Sequence, residues 1–136
     1  MSLILTLIDI ISKYLLTDKT YFPNQIFFIK FTHNFGSAFS IFSNFNLYSY
    51  IIILLSFLVI YVLIKLSSEF KTTKTKQISY YLIFAGILGN LYDRIIFGYV
   101  RDFIGIKYLF IFNIADAYLT IAIILYMYSE YYSKKQ

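Results

Sequence analysis

Hydrophobic positions along the chain fall into four blocks separated by more polar segments. The blocks cover approximately residues 1–16, 47–64, 78–97 and 108–128, and the second block carries no charged residue. Apolar stretches approaching 20 residues are typical of helices that cross the ~30 Å hydrocarbon core of a bilayer. The pattern therefore predicts an all-α polytopic membrane protein with four transmembrane helices.

The segment between the first two blocks has a different period. Within residues 17–46, Phe27, Ile29 and Phe31 occupy alternate positions of one run. A period of two is the pattern of a β-strand. We therefore expect a small strand region outside the four helices.

The segment 65–77 sets the predicted orientation, because it holds four lysines and one glutamate. Loops rich in lysine and arginine remain in the cytoplasm. With four spans, both termini are then cytoplasmic and the strand region 17–46 is exoplasmic.

Composition agrees with this reading. Of the 136 residues, 60% are apolar and 14% are charged, against about 45–50% and 25% in soluble domains. The four blocks use most of the chain, so we expect a single integral membrane domain over 1–136, with no soluble catalytic or nucleic-acid-binding domain. The net charge of +5 arises largely from lysines beside the apolar blocks, which favours anionic lipid headgroups over nucleic acid as a partner.

The absence of cysteine and the presence of one histidine exclude disulfides, Cys nucleophiles and His-based metal clusters. Ionisable residues inside apolar spans are functional candidates, and here these are Asp9, Asp93 and Asp116. At 1.5 Å per residue, Asp93 lies roughly 22 Å from Ile78 and Asp116 roughly 18 Å from Tyr128, in the outer third of the bilayer. Asp102 lies on the connection between the third and fourth spans.

Two of these aspartates belong to Asn-x-x-Asp pairs, Asn90 with Asp93 and Asn113 with Asp116. A spacing of three predicts that amide and carboxylate share one helical face. Carboxylates that converge in a low dielectric cannot all ionise, which equips them for general acid and base catalysis. The same pattern also fits a proton relay in a small proton-coupled transporter, or structural hydrogen bonding, and the spacing alone leaves these alternatives open.

Five short sequence blocks narrow the choice among catalysis, proton transport and a structural role. Residues 34–40 (NFGSAFS), 89–94 (GNLYDR), 98–103 (GYVRDF) and 112–116 (FNIAD), together with 9–13 (DIISK), resemble lipoprotein signal peptidase, the bacterial signal peptidase II family of aspartic peptidases. The resemblance implies an endopeptidase in the bacterial cytoplasmic (inner) membrane. It would remove signal peptides from prolipoproteins, cutting before a diacylglyceryl-modified cysteine.

The resemblance also implies roles for individual residues. The catalytic dyad falls on Asp102 and Asp116, and which of them is acid and which is base is not readable from sequence. The positions that match residues lining or supporting the family's site are Asn34, Asn90, Asp93, Arg94 and Asn113. No metal or cofactor is implied, and cyclic lipopeptide inhibitors of the globomycin type are expected ligands.

Several further residues have local interpretations. Asp9 and Lys13 are four apart and are expected to form an intrahelical ion pair, with a direct role at the site as the alternative. Ala85 and Gly89 predict a close helix contact through small residues.

Arg101 directly precedes Asp102 and is expected to lower the pKa of that carboxyl group. His33 is expected at the surface of the strand region. The rings of Phe31 and Phe39 are candidates for cradling acyl chains.

Overall fold

The computed structural model describes residues 1–22, 24, 26–35 and 46–133. Within these ranges there are four α-helices, namely α1 (Ser2–Leu16), α2 (Asn46–Lys65), α3 (Lys74–Phe97) and α4 (Ile114–Ser133). The described strands are β1 (Thr20–Tyr21), β2 (Phe27–Asn34), β3 (Val100–Ile106) and β4 (Ile111–Phe112). A short 3₁₀ turn, Glu69–Lys71, lies between α2 and α3.

The strands form one antiparallel sheet in the order β1-β2-β3-β4. The strand expected from the alternation at Phe27–Phe31 is confirmed as β2. The sequence pattern did not indicate β3 and β4, which come from the connection between α3 and α4. The sheet therefore draws on two segments of the chain that are distant in sequence.

The first two helices coincide with the first two apolar blocks to within one residue at each end. The third helix starts earlier than residue 78, because the Thr73 hydroxyl accepts a hydrogen bond from the Lys76 backbone N–H at 3.2 Å and caps the helix at Lys74. This helix ends at Phe97 and is capped by Gly98, where φ is 78° and the backbone N–H donates to the Arg94 carbonyl. The prediction that residues 65–77 form a continuous loop is therefore wrong at its carboxyl end.

The fourth helix does not begin at residue 108 as expected. Asn113 precedes the helix and caps it, since its Oδ1 accepts a hydrogen bond from the Asp116 backbone N–H at 2.9 Å. Asp116 reciprocates, with Oδ2 accepting from the Asn113 backbone N–H at 3.2 Å. This is a capping box, so the expectation that Asn113 and Asp116 share a helical face is wrong.

A β-bulge interrupts the pairing of β2 with β3. Ile29 faces Ile104 and Thr32 faces Asp102, so two residues of β2 oppose one residue of β3 between these pairs. The extra residue shifts the alternation of β2 by one position. As a result Asn34 lies on the same face of the sheet as Asp102.

Helices α1, α3 and α4 approach closely at small residues. Ala85 of α3 is fully buried, and its carbonyl accepts a hydrogen bond from the Thr6 hydroxyl at 3.4 Å. A Cβ atom on Gly89 would collide with the Asp9 carboxylate and lie 3.3 Å from the Ala115 Cβ. The predicted small-residue contact at Ala85 and Gly89 is confirmed.

The outer surface of the helices is largely apolar, with Leu3 71% and Leu54 70% exposed. Across the described ranges, none of the helices combines the length and the sustained hydropathy of a membrane-crossing segment. The fold is helical, with one small antiparallel sheet at the end where α3 finishes and α4 begins.

Candidate active site

Asp102 and Asp116 come from different elements and share a hydrogen-bonding partner. Asp102 lies on β3 and is 2% exposed, whereas Asp116 lies half-buried in the first turn of α4. The Asn113 side chain donates from Nδ2 to Asp102 Oδ1 at 2.6 Å, and its backbone N–H donates to Asp116 Oδ2. Because Asn113 caps α4 and contacts β3, it holds the two carboxylates next to each other.

The environment of Asp102 favours its protonated form. Burial raises the pKa of Asp102 to about 6, and the negative charge of Asp116 adds to this effect. Hydrogen bonds from the Asn34 and Asn113 amides act in the opposite direction, since they stabilise the carboxylate. The pKa of Asp102 is raised rather than lowered, and Arg101 is not one of the groups that shift it, so the expected effect of Arg101 is not observed.

The reason lies in the geometry of β3. Successive side chains of a strand point to opposite faces, so Arg101 is directed away from Asp102. Its guanidinium contacts Asp93 Oδ1 through Nη2 at 2.8 Å and Nε at 3.2 Å, and its backbone N–H donates to Asp93 Oδ2. It also lies 4.4 Å from the centre of the Phe97 ring.

The carboxylate of Asp116 is held in place by a residue of α3. Asn90 donates from Nδ2 to Asp116 Oδ1 at 2.8 Å. The other end of this amide, Oδ1, accepts hydrogen bonds from Lys13 Nζ and from Asn113 Nδ2, each at 3.1 Å. The contact between α3 and α4 at the site is therefore made by Asn90, and not by Asp93, which does not reach Asp116.

Asp93 belongs to a separate group of buried charges, which we call the charge cluster: Asp9, Lys13, Asp93 and Arg101. Lys13 Nζ lies 2.8 Å from Asp9 Oδ2 and 3.3 Å from Asp93 Oδ2. All four residues are at most 4% exposed. The intrahelical pair predicted for Asp9 and Lys13 is confirmed, and Lys13 also reaches Asp93.

The charge cluster joins α1 to the rest of the site. Asp9 Oδ1 accepts a hydrogen bond from the Ala115 backbone N–H of α4 at 2.8 Å. Sequence reasoning did not connect Lys13 with Asn90. The available signal was the placement of Asp9 and Lys13 in an otherwise apolar helix, because charges buried in such a position require partners from other elements.

The remaining candidates lie around this core. Arg94 is half-buried near the end of α3, and its Nη1 donates to the Asn90 carbonyl at 3.3 Å. His33 is exposed, as expected, with its ring centre 4.2 Å from that of Tyr99. Within the described residues, no group of three His, Asp or Glu side chains is spaced to hold a metal ion.

Phe31 lines a cavity of about 400 Å³ together with Tyr14, Thr17, Phe97, Tyr99 and Arg101. Because Arg101 and Asp102 point to opposite faces of β3, this cavity and the carboxylate pair lie on different sides of the strand. The candidate ring of Phe39, and positions 36–40 of the block that begins at Asn34, lie outside the described residues.

Two neighbouring carboxylates, one buried and one half-buried, with shared amide donors, form an arrangement similar to the paired aspartates of aspartic proteases. A family model for signal peptidase (SPase) II, Peptidase_A8, matches residues 1–132. The chain therefore belongs to the signal peptidase II family, a family of proteases. Membership in this family does not support the alternative of a proton-coupled transporter.

Named relatives agree with this assignment. A lipoprotein signal peptidase of Buchnera aphidicola subsp. Schizaphis graminum is 39% identical over 122 residues, covering 85% of this chain and 76% of that protein. The lipoprotein signal peptidase of Pseudoalteromonas translucida is 34% identical over 145 residues, covering 96% and 86%.

Solved structures share the fold. One, described as a bacterial membrane enzyme at 2.3 Å resolution, superposes with a TM-score of 0.77 at 29% identity and covers 98% of this chain and 86% of its own. A second bacterial membrane enzyme, at 1.9 Å resolution, gives a TM-score of 0.78 at 27% identity, covering 94% and 88%. The arrangement of helices and small antiparallel sheet is therefore the fold of this family.

Proposed function

We propose that this chain is a membrane aspartic endopeptidase that removes signal peptides from bacterial prolipoproteins and cuts before a diacylglyceryl-modified cysteine. Its catalytic dyad is Asp102 and Asp116. The observation that carries the proposal is the bridging of both carboxylates by Asn113, in a chain whose relatives are named lipoprotein signal peptidase.

In the proposed reaction Asp116 is the general base. It removes a proton from a water molecule, whose oxygen attacks the carbonyl carbon of the scissile peptide, while Asp102 donates its proton to the carbonyl oxygen. Collapse of the tetrahedral intermediate returns that proton to Asp102. The proton held by Asp116 passes to the departing amine, so both carboxyl groups regain their starting states.

Two observations support this assignment of acid and base. Burial and the neighbouring charge of Asp116 raise the pKa of Asp102 to about 6, so Asp102 keeps its proton to higher pH than an exposed aspartate and is available as the donor. Asp116 lies in the first turn of α4, where the helix dipole and the free backbone N–H groups favour a carboxylate. It is also half-buried rather than enclosed, which gives water a route to it.

The surrounding amides fix the geometry of the dyad. Asn34 and Asn113 orient Asp102, and Asn90 with the Asn113 backbone orients Asp116. Arg94 lies beside Asn90 and is assigned to the substrate backbone. Asp93 supports the site indirectly, by anchoring Arg101 and with it β3.

We further propose that residues 1–136 form one integral membrane domain in the cytoplasmic membrane, with four spanning helices and cytoplasmic termini. The apolar outer surface of the helices favours contact with lipid. The sheet and the dyad lie at the end of the helix bundle opposite the lysine-bearing segment between α2 and α3, and that segment is expected in the cytoplasm. The dyad is then near the exoplasmic face.

A site at that depth suits a substrate with two anchors in the bilayer. The signal helix provides one anchor and the diacylglyceryl chains provide the other, with roughly 0.8 kcal/mol for each buried methylene. Cyclic lipopeptides of the globomycin type would compete for this position.

The test is incubation of the purified protein in detergent micelles with a diacylglyceryl-modified prolipoprotein, with detection of the shortened product and the freed signal peptide. We expect cleavage by the wild type and loss of at least about 100-fold in rate for Asp102→Asn and Asp116→Asn, because an amide cannot transfer the proton. The same precursor without the lipid is the substrate control and should be cut far more slowly. Near-normal turnover by either Asn variant would show that the residue replaced is not part of the dyad, and Asp93 would be the next residue to test.

A further inference from the structure

We infer that Lys13 is a positioning residue for catalysis: it orients the Asn90 side-chain amide so that its N–H group faces Asp116. The inference rests on the proposed function, since it assumes that Asp116 acts as a base. Lys13 lies in α1, whereas the dyad residues come from β3 and α4. Lys13 would therefore act through Asn90 rather than on the substrate.

The argument starts from the two ends of the Asn90 amide. An amide side chain has an oxygen that only accepts hydrogen bonds and a nitrogen that only donates them, whereas a lysine ammonium only donates. Lys13 Nζ lies 3.1 Å from Asn90 Oδ1, which requires the oxygen at that end. The nitrogen is then directed at Asp116 Oδ1, 2.8 Å away.

The opposite orientation of the amide is doubly unfavourable. A rotation of 180° would turn the NH₂ group towards the ammonium and the carbonyl oxygen towards the Asp116 carboxylate. Both contacts would then be repulsive, and the carboxylate would lose a charge-assisted hydrogen bond. Lys13 thereby selects the orientation that stabilises an ionised Asp116.

Asn113 Nδ2 also donates to Asn90 Oδ1 at 3.1 Å and supports the same orientation of the Asn90 amide. Asn113 is an amide too, and its own orientation depends on Asp102 and on the Asp116 backbone N–H. Of these side chains, Lys13 is the one that can only donate. Lys13 and Asn113 therefore set the same direction of donation through Asn90 to Asp116, and Lys13 contributes the charged, donor-only partner at the oxygen end.

The rest of the charge cluster holds Lys13 in place. Its ammonium is fully buried and contacts the carboxylates of Asp9 and Asp93. Arg101 balances the second carboxylate at 2.8 Å, so two positive and two negative charges cancel. Desolvation of an ion pair is compensated only when its partners are well placed, and the contact with Asn90 is the hydrogen bond by which Lys13 reaches the dyad.

The experiment compares steady-state cleavage of a diacylglyceryl-modified prolipoprotein by the full-length protein and its variants. Lys13→Met is expected to lower kcat about 10- to 100-fold, because small misplacements of catalytic groups have effects of this size. KM should stay within about twofold, since Lys13 is fully buried and does not face the substrate. Lys76→Met is the matched control, because Lys76 pairs with Glu130 away from the dyad, and kcat should be unchanged.

A second variant separates positioning from folding. Asp9→Asn combined with Lys13→Met restores a neutral cluster, and the asparagine Oδ1 can still accept the Ala115 N–H. This double variant should recover the thermal midpoint of the wild type without recovering kcat. If it does not fold, or if it recovers kcat, Lys13 serves only the fold and the inference is wrong.

A third comparison tests whether Lys13 acts through Asn90. In an Asn90→Leu background, which has already lost the amide, Lys13→Met should change kcat by less than twofold. The full, additive loss in that background would overturn the inference. A wild-type protein that does not cleave would contradict the proposed function and the inference together, whereas normal kcat in folded Lys13→Met would contradict the inference alone.

Discussion

The Asn34 amide crosses from β2 to β3 and donates from Nδ2 to Asp102 Oδ2 at 2.9 Å. The two residues are 68 positions apart in sequence, and the β-bulge in β2 puts them on one face of the sheet. This hydrogen bond stabilises the charged form of Asp102 and so opposes the effect of burial on its pKa.

The first prediction is a pH dependence that Asn34 controls. If Asp102 donates a proton, kcat/KM should fall as pH rises through about 6, where Asp102 loses its proton. Asn34→Leu removes a hydrogen bond to the carboxylate, raises the pKa of Asp102 and should move this limb to higher pH. The measurement is the pH–rate profile of both proteins.

The control for that profile is His33→Gln. Histidine side chains generally titrate near neutrality, and His33 is the only histidine of the chain. Because His33 is exposed on the strand region, the substitution should leave the limb in place. If the falling limb of the pH–rate profile shifts in His33→Gln, or moves to lower pH in Asn34→Leu, the role of Asp102 as the acid is contradicted.

The second prediction concerns Arg101 and stability. Arg101→Met leaves the fully buried Asp93 without its bidentate partner, and breaking buried ion pairs of this kind typically costs ~3–5 kcal/mol in the free energy of unfolding. Lys76→Met, which breaks the more exposed pair with Glu130, should cost less than ~1 kcal/mol. Denaturant titration in detergent micelles measures the free energy of unfolding of both variants. Equal losses would show that burial of the Asp93 pair is not decisive.

The third prediction tests the close approach of α1 to α3. Gly89→Ala would place a methyl group against the Asp9 carboxylate and near Ala115, so it should lower the thermal midpoint and reduce cleavage at a temperature where the wild type is folded. Gly98→Asn is the matched control. Nothing lies within 4 Å of a Cβ atom at position 98, where φ is 78°, and asparagine tolerates a positive φ. A Gly89→Ala protein as stable and as active as Gly98→Asn would contradict the packing.

The fourth prediction tests the proposed topology by labelling. The chain has no cysteine, so single cysteines can be introduced at exposed lysines without background. Lys30→Cys and Lys107→Cys should react with a membrane-impermeant reagent added outside intact cells or spheroplasts, and Lys74→Cys only after permeabilisation. The reverse pattern would put the dyad at the cytoplasmic face and contradict access from the exoplasmic side.

The sequence by itself determined those elements that have a clear periodicity, because the period of apolar residues distinguishes a helix from a strand. The charge-free run 47–64 predicted α2, and the alternation at Phe27, Ile29 and Phe31 predicted β2. The quoted motifs were enough to name the family. The roles of Asp102 and Asp116 came through the same resemblance, and they remain a prediction that the proposed variants test.

The partners of each polar group were decided only by the tertiary structure. Asn113 and Asp116 have the same spacing as Asn90 and Asp93, yet the first pair caps a helix and the second lies within one. The difference arises because β4 ends directly before Asn113, which a pattern of apolar residues does not reveal.

The orientation of the Arg101 side chain and the contact between Lys13 and Asn90 were also decided by the tertiary structure. Adjacent residues of a strand point to opposite faces, so Arg101, which precedes Asp102 in sequence, contacts Asp93 instead. Lys13 meets Asn90, 77 positions away, because Gly89 lets α1 approach α3. Hydrogen bonds between distant segments depend on helix packing and strand register, and these are properties of the whole fold rather than of any local stretch of sequence.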